Sequence, residues 1–298
     1  MEHFQEYLAT EVALDHVDGQ LTRREALRRL GTLGLSAVAA SALIAACGSD
    51  KKQTASGGGS TTTPSVPSSA ANRPATTAVP TQEITYPSSN GTLMGAYASA
   101  AGPKGTVIVV HQNAGLVDNI RAIASRLAGD GYSALAVDLL SEEGGTAKVD
   151  AGDVAGALNN AGPARIRVDL HAAADELAKR TPSAKIGMVG FCFGGTVVWD
   201  FLSDGDPRLA AAAPFYGTVS DDVSFAKNKA AVFGIYGETD ARVDATRETA
   251  KSALDKTNVP HQIKTYPGVG HGFYTDVGSE QSKAAYADVL DWFGRYLK

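Results

Sequence analysis

The sequence predicts an α/β protein with a mostly parallel central sheet covered by helices on both faces. Two observations carry this. From residue 81 onward, short apolar runs alternate with stretches of helical periodicity, the pattern of parallel strands joined by crossover helices. Two of the runs, Val107 to Val110 and Ile186 to Val189, are apolar without interruption, as strands buried on both faces are.

The elements follow in order. Glu83 to Tyr86 and Leu93 to Ala98 read as strands joined by the turn residues Ser88-Ser89-Asn90-Gly91. Val107 to Val110 is a central strand. Asp118 to Asp130 carries Ile120, Ile123, Ala124 and Leu127 on one helical stripe. Tyr132 to Val137 is a strand ending at Asp138, and Arg165 to Arg180 a helix. Ile186 to Val189 is a strand followed by a helix over Thr196 to Leu202. Ala210 to Tyr216 and Ala231 to Tyr236 are strands, Asp244 to Asp255 a helix, and Gln262 to Tyr266 a strand. Ser279 to Tyr296 closes the chain as a helix.

Sites in such sheets lie at the carboxyl ends of the strands, and three of those ends carry chemistry. Gly190-Phe191-Cys192-Phe193-Gly194-Gly195 has the G-x-nucleophile-x-G spacing of a strained strand-to-helix turn, with a cysteine in the centre. Glycines two positions either side leave room for that turn, and the helix that follows aims its N-terminal N–H groups at the thiol, favouring thiolate. Gly237-Glu238-Thr239-Asp240 follows a second strand, and Gly268-Val269-Gly270-His271-Gly272-Phe273 a third. The order Cys192, Asp240, His271 is that of nucleophile, acid and base in α/β-hydrolases. His271 would take the thiol proton, and Asp240 would fix its tautomer. Singly, each residue has a plainer reading: Cys192 as a packed thiol, Asp240 as a helix cap with Asp244 a rival acid, His271 as a loop residue. Their joint order and placement favour the triad.

The first 80 residues read differently. Arg23-Arg24 and Arg28-Arg29 precede an uncharged stretch from Leu30 to Ala46, which resembles a twin-arginine export signal. Leu43-Ile44-Ala45-Ala46-Cys47 resembles a lipoprotein box, so Cys47 is the expected lipidation site; a small-residue cleavage site with Cys47 incidental, or an uncleaved anchor, is the alternative. Residues 1–47 are thus the expected export signal. Residues 48–80, almost all Ser, Thr, Gly, Ala and Pro, are expected to be a disordered linker spanning roughly 30 Å. Residues 81–298 form the expected catalytic domain. The expectation is a monomer tethered to a membrane by its lipid, on the outer face of the cytoplasmic membrane or in the periplasm.

Composition bounds the rest. A net charge of −5 gives no sign of a nucleic-acid partner. Two cysteines in such different settings exclude a disulfide scaffold, and no zinc-type Cys/His spacing occurs, so neither metal nor organic cofactor is expected.

From about Thr81 to Lys298 the chain resembles the dienelactone hydrolase (carboxymethylenebutenolidase) family, on GFCFGG, GETD, GVGHGF and the His111-Gln112-Asn113-Ala114-Gly115-Leu116 stretch. The resemblance implies an α/β-hydrolase fold and hydrolysis of a small-molecule ester or lactone through an acyl-enzyme. It also implies an oxyanion hole from the backbone N–H groups of Asn113 and Phe193. Two positions depart from the family. Gln112 stands where the family has a glutamate that contacts the resting cysteine, so a standing Cys192–His271 ion pair becomes the expected resting state. Thr275 stands where dienelactone-specific members have an arginine that clamps the substrate carboxylate; Arg165, Arg167 and Arg242 are conceivable replacements, with solvated surface charge the default for each. Two other classes remain: a small-molecule-binding lipoprotein without catalysis, and a thiol redox sensor, against which the lack of a nearby resolving cysteine speaks.

Overall fold

The structure is a computed structural model describing residues 2–17, 21–53, 77–275 and 277–298. Eight strands form one sheet: β1 (Gln82–Ser88), β2 (Gly91–Ala98), β3 (Gly105–Val110), β4 (Tyr132–Asp138), β5 (Ile186–Phe191), β6 (Leu209–Phe215), β7 (Ala231–Gly237) and β8 (His261–Tyr266), in the order β1-β2-β4-β3-β5-β6-β7-β8. The pairs β1/β2 and β2/β4 are antiparallel and the other five are parallel. β3, β4 and β5 are buried at every residue, so both faces of the sheet are covered. The expected α/β architecture is the observed one.

The helices are α1 (Glu2–Val17), α2 (Arg23–Thr32), α3 (Ala37–Gln53), α4 (Asp118–Gly129), α5 (Val154–Arg180), α6 (Phe193–Asp204), α7 (Ala241–Asp244), α8 (Arg247–Asp255) and α9 (Glu280–Tyr296). α5 begins 11 residues before the expected helix, and it is two helices in line: Gly162 at φ 69° breaks it before Pro163. The expected helix over Asp244 to Asp255 is two pieces, α7 and α8.

The chain runs from β3 to β4 on one side, then returns to place β5 on the other side of β3. This reversal leaves a crevice beyond the carboxyl ends of β3 and β5, where such sheets bind ligands.

The N-terminal part adds most to the sequence reading. Residues 1–47, expected as an export signal, contain α1, α2 and the start of α3, which pack on one another and on α5. Phe4, Tyr7, Leu8, Val12 and Ala13 of α1 are buried in the common core, with Ala26 and Leu30 of α2. Cys47 lies within α3 and is half-buried. No helix among the described residues is long and apolar enough to cross a membrane. α3 also continues to Gln53, into the expected linker, and Val79 donates its N–H to the Ser125 carbonyl (3.1 Å); residues 54–76 of that linker lie outside the described residues.

Candidate active site

Cys192 follows β5 and caps α6 with φ 58° and ψ −121°, a left-handed conformation rare for a side-chain-bearing residue. The close approach of the flanking backbone explains the two glycines. A Cβ on Gly190 would lie 2.6 Å from the Gly194 carbonyl carbon; one on Gly194 would lie 2.5 Å from the carbonyl oxygens of Val110 and His111. The Cys192 N–H donates to the Phe215 carbonyl (3.2 Å), and Gly195 N–H to the Cys192 carbonyl (2.8 Å), so both sides of the turn are fixed. The thiol is nearly buried, at 5% exposure.

His271 follows β8. Its Nδ1 meets Asp240 Oδ2 at 2.6 Å, and the edge of its ring meets Tyr216, with ring centroids 5.0 Å apart. Asp240 is buried, and its other oxygen accepts the Val243 N–H at the start of α7. The rival Asp244 pairs instead with Arg247 (3.6 Å). Thr239 N–H to the Val269 carbonyl (2.9 Å) and Gly268 N–H to Glu238 (2.8 Å) tie the acid loop to the histidine loop. Burial pulls the His271 pKa down, but the adjacent Cys192 sulfur and the Asp240 carboxylate outweigh it and push the value up to about 9. The imidazole is therefore held as imidazolium near neutral pH.

The loop after β3 carries Gln112 and Asn113, and both line the same cavity as Cys192 and His271, a space of about 1030 Å³. Phe193 opens α6, so its N–H is one of the first-turn donors without an intrahelical acceptor. The loop is fixed from behind by a network absent from the sequence reading. The buried His111 accepts the Leu139 N–H at Nε2 (3.2 Å), which leaves Nδ1 to donate to the Gln112 carbonyl (2.7 Å). Burial lowers its pKa and keeps it neutral. Thr146 accepts the Leu116 N–H (2.9 Å) and donates to Asp138 (2.8 Å), whose carboxylate also takes the Thr146 N–H (2.8 Å).

Two residues of α1, Tyr7 and Glu11, hydrogen-bond Cys192. The Tyr7 hydroxyl donates to Cys192 Sγ (3.4 Å), and its ring lies near that of Phe193, as does the ring of Phe4. The Cys192 thiol in turn donates to Glu11 Oε2 (3.4 Å), which also pairs with His271 Nε2 (3.2 Å). Glu11 is only 3% exposed, and its other oxygen pairs with Arg242. The Arg242 guanidinium also stacks over the Tyr7 ring, 4.5 Å from its centroid. Beside the direct Cys192–His271 interaction expected with Gln112, a carboxylate stands against both side chains. Gln112 does not supply it; a residue 101 positions earlier does. The signal was present as a helical stripe, Phe4, Tyr7, Leu8, Glu11 and Val12, in a segment read only as part of an export signal.

Among the conceivable clamps, Arg165 is bidentate to Glu143 (2.8 and 2.9 Å) and Arg167 pairs with Asp200 (2.8 Å). Arg242 alone of the three lines the cavity, which corrects its default as a solvated charge. Thr275 also lines it, with its hydroxyl donating to the Gly272 carbonyl (2.8 Å). Against the expectation of no metal, the donor atoms of Glu11, Cys192 and His271 lie within 4.8 Å of one another, a spacing a zinc-like ion tolerates; the Arg242 cation on Glu11 opposes one.

Comparison with known proteins identifies the family. The profile of the dienelactone hydrolase family matches residues 93–297. A protein from Escherichia coli named "Putative carboxymethylenebutenolidase" is 30% identical over 255 residues, covering 78% of this chain and 86% of its own length. One of the same name from Synechocystis is 30% identical over 234 residues, covering 71% and 93%. The crystal structure of a "Putative Dienelactone Hydrolase" from Klebsiella pneumoniae superposes with a TM-score of 0.66 at 29% identity, covering 74% of this chain and all of that one. The chain belongs to the dienelactone hydrolase family and is a carboxymethylenebutenolidase-like hydrolase with the α/β-hydrolase fold.

Proposed function

We propose that the protein hydrolyses a small-molecule carboxylic ester or lactone through a Cys192–His271–Asp240 triad and a thioester intermediate. The observation that carries this is the meeting of three strand ends: a strained, buried thiol and an imidazolium whose far nitrogen is held by a buried carboxylate at 2.6 Å. The proton of Cys192 already rests on His271 Nε2 in the imidazolium, and the thiolate sulfur bonds to the substrate carbonyl carbon. The N–H groups of Asn113 and Phe193 receive the oxyanion. The tetrahedral centre collapses, the C–O bond breaks, and the leaving oxygen takes the proton from His271. His271 then removes a proton from water, whose oxygen attacks the thioester; the C–S bond breaks, the acid leaves, and the Cys192 thiolate and His271 imidazolium are restored.

The same reading includes export. The paired arginines and the small-residue run to Cys47 support a twin-arginine signal with lipidation at Cys47, which would place a monomeric enzyme on a membrane surface. Labelling with a fatty-acid analogue in the producing cell, lost in Cys47→Ala, is the expected result; undiminished labelling contradicts the anchor.

The catalytic reading is tested by following dienelactone and an aryl acetate with the wild-type chain and Glu11→Ala, each with and without Cys192→Ala. Cys192-dependent turnover of either ester supports the triad. Turnover that survives Cys192→Ala refutes it, as does no turnover of either ester in any form.

A further inference from the structure

Three facts about Glu11 belong together. It is a carboxylate carried into the catalytic cavity by α1, which lies outside the residues that the family profile matches. One of its oxygens pairs with Arg242, two positions beyond the catalytic acid. The other stands between the nucleophile and the base, 3.4 Å from Cys192 Sγ and 3.2 Å from His271 Nε2. The position normally arginine, Thr275, offers no cation, while Arg165 and Arg167 are spent on Glu143 and Asp200. Of the two arginines that line the cavity, Arg29 and Arg242, Arg242 lies two positions beyond the catalytic acid, and a carboxylate already occupies it.

We infer that Arg242 is the specificity-determining residue that binds a carboxylate of the substrate, and that Glu11 of the N-terminal helix holds this place as an internal pseudosubstrate. This deepens the hydrolase reading and rests on it for the substrate class: an ester or lactone bearing a free carboxylate a short carbon chain from the scissile carbonyl. The helix is anchored for the task. Phe4 packs edge-on against Phe193 with centroids 5.4 Å apart, and Tyr7 hydrogen-bonds the nucleophile itself. While α1 is seated, Glu11 lies against the sulfur and bars the acyl position. When Glu11 leaves, Arg242 is uncovered beside a freed Cys192–His271 pair. Cleavage before Cys47 would remove α1 and α2 entirely, so a processed enzyme would be an opened one.

Two thiol reagents of nearly equal size separate the parts of this claim without ester turnover. Iodoacetamide is neutral and iodoacetate carries a carboxylate; each forms a carbon–sulfur bond and releases iodide. Rates are read by mass spectrometry on the Cys192 peptide of the full chain near neutral pH, which sets aside Cys47. In Glu11→Ala both reagents should label Cys192 about tenfold faster or more than in wild type, and iodoacetate should gain the most. Adding Arg242→Gln should remove the gain of iodoacetate over iodoacetamide, and adding Arg242→Lys should keep part of it. Equal rates in wild type and Glu11→Ala would overturn the pseudosubstrate. An iodoacetate preference unchanged by Arg242→Gln, in a chain that Arg242→Lys shows to be folded, would overturn the carboxylate site. Because these rates need no hydrolysis, a chain that labels as expected but turns over no ester would fail the hydrolase reading alone.

Discussion

His271 carries the most charge-sensitive proton of the site. Its pKa of about 9 in the folded chain stands above the ordinary 6.5. Stabilisation from the imidazolium is therefore complete below about pH 6.5 and is lost as pH rises through about 9. Wild type should exceed His271→Gln in stability by up to about 3 kcal/mol near pH 6, and the difference should vanish by about pH 10. Denaturant melts across that range check this, and a pH-independent difference would contradict it. Gly190 makes a steric prediction. With a Cβ forced to 2.6 Å from the Gly194 carbonyl carbon, Gly190→Ala should destabilise by several kcal/mol or yield insoluble protein, as read by urea unfolding and soluble yield. The clustering of Cys192, Asp240 and His271 and both elbow glycines were legible because each sits at a fixed offset from a strand end. Glu11, Tyr7 and the role of Arg242 were not, because tertiary packing of distant segments brings them together and no spacing encodes it.

The loop after β3 shows what an element contributes. The proposed oxyanion donor, the Asn113 N–H, depends on residues 111–116 holding their shape, and the supports are His111 and the Asp138–Thr146 pair. Thr146 acts through the loop and is a positioning residue. Thr146→Val should lower kcat about tenfold with little change in KM, while Thr146→Ser should recover most of it, since the hydroxyl is what Leu116 and Asp138 use. A rise in KM alone, or no rescue by serine, would count against a positioning role. At the far end of the chain, Ser279 caps α9 and Ser282 Oγ donates to the Phe273 carbonyl (2.8 Å), tethering the histidine loop to that helix. Ser279→Ala should cost about 1 kcal/mol in an unfolding titration and leave kcat nearly unchanged. Element types were well predicted where the apolar period was long, as in α4 and α9. The start of α5 was missed because its first turns are small residues, and Gly162-Pro163 looked like a boundary but proved an internal break.

For the whole molecule, the sheet order is what assembles the site: placing β5 beside β3, after β4 has gone to the other side, brings the nucleophile and the oxyanion loop to one crevice. The α/β layering was legible in the sequence because continuous apolar strands alternate with amphipathic helices. The cap of α1 to α3 was not, because its Arg-Arg pairs and Ala-rich run have the composition of a transport signal, which says nothing of where such a segment rests once folded. The central claim is that the Cys192 sulfur carries the acyl group, and acid-quenched mass spectrometry during turnover of an aryl ester tests it most directly, in wild type and Glu11→Ala. A thioester adduct on the Cys192 peptide, more abundant in Glu11→Ala and absent in Cys192→Ala, is the predicted result. Sustained turnover with no adduct at Cys192, or with the acyl group on another residue, would contradict it.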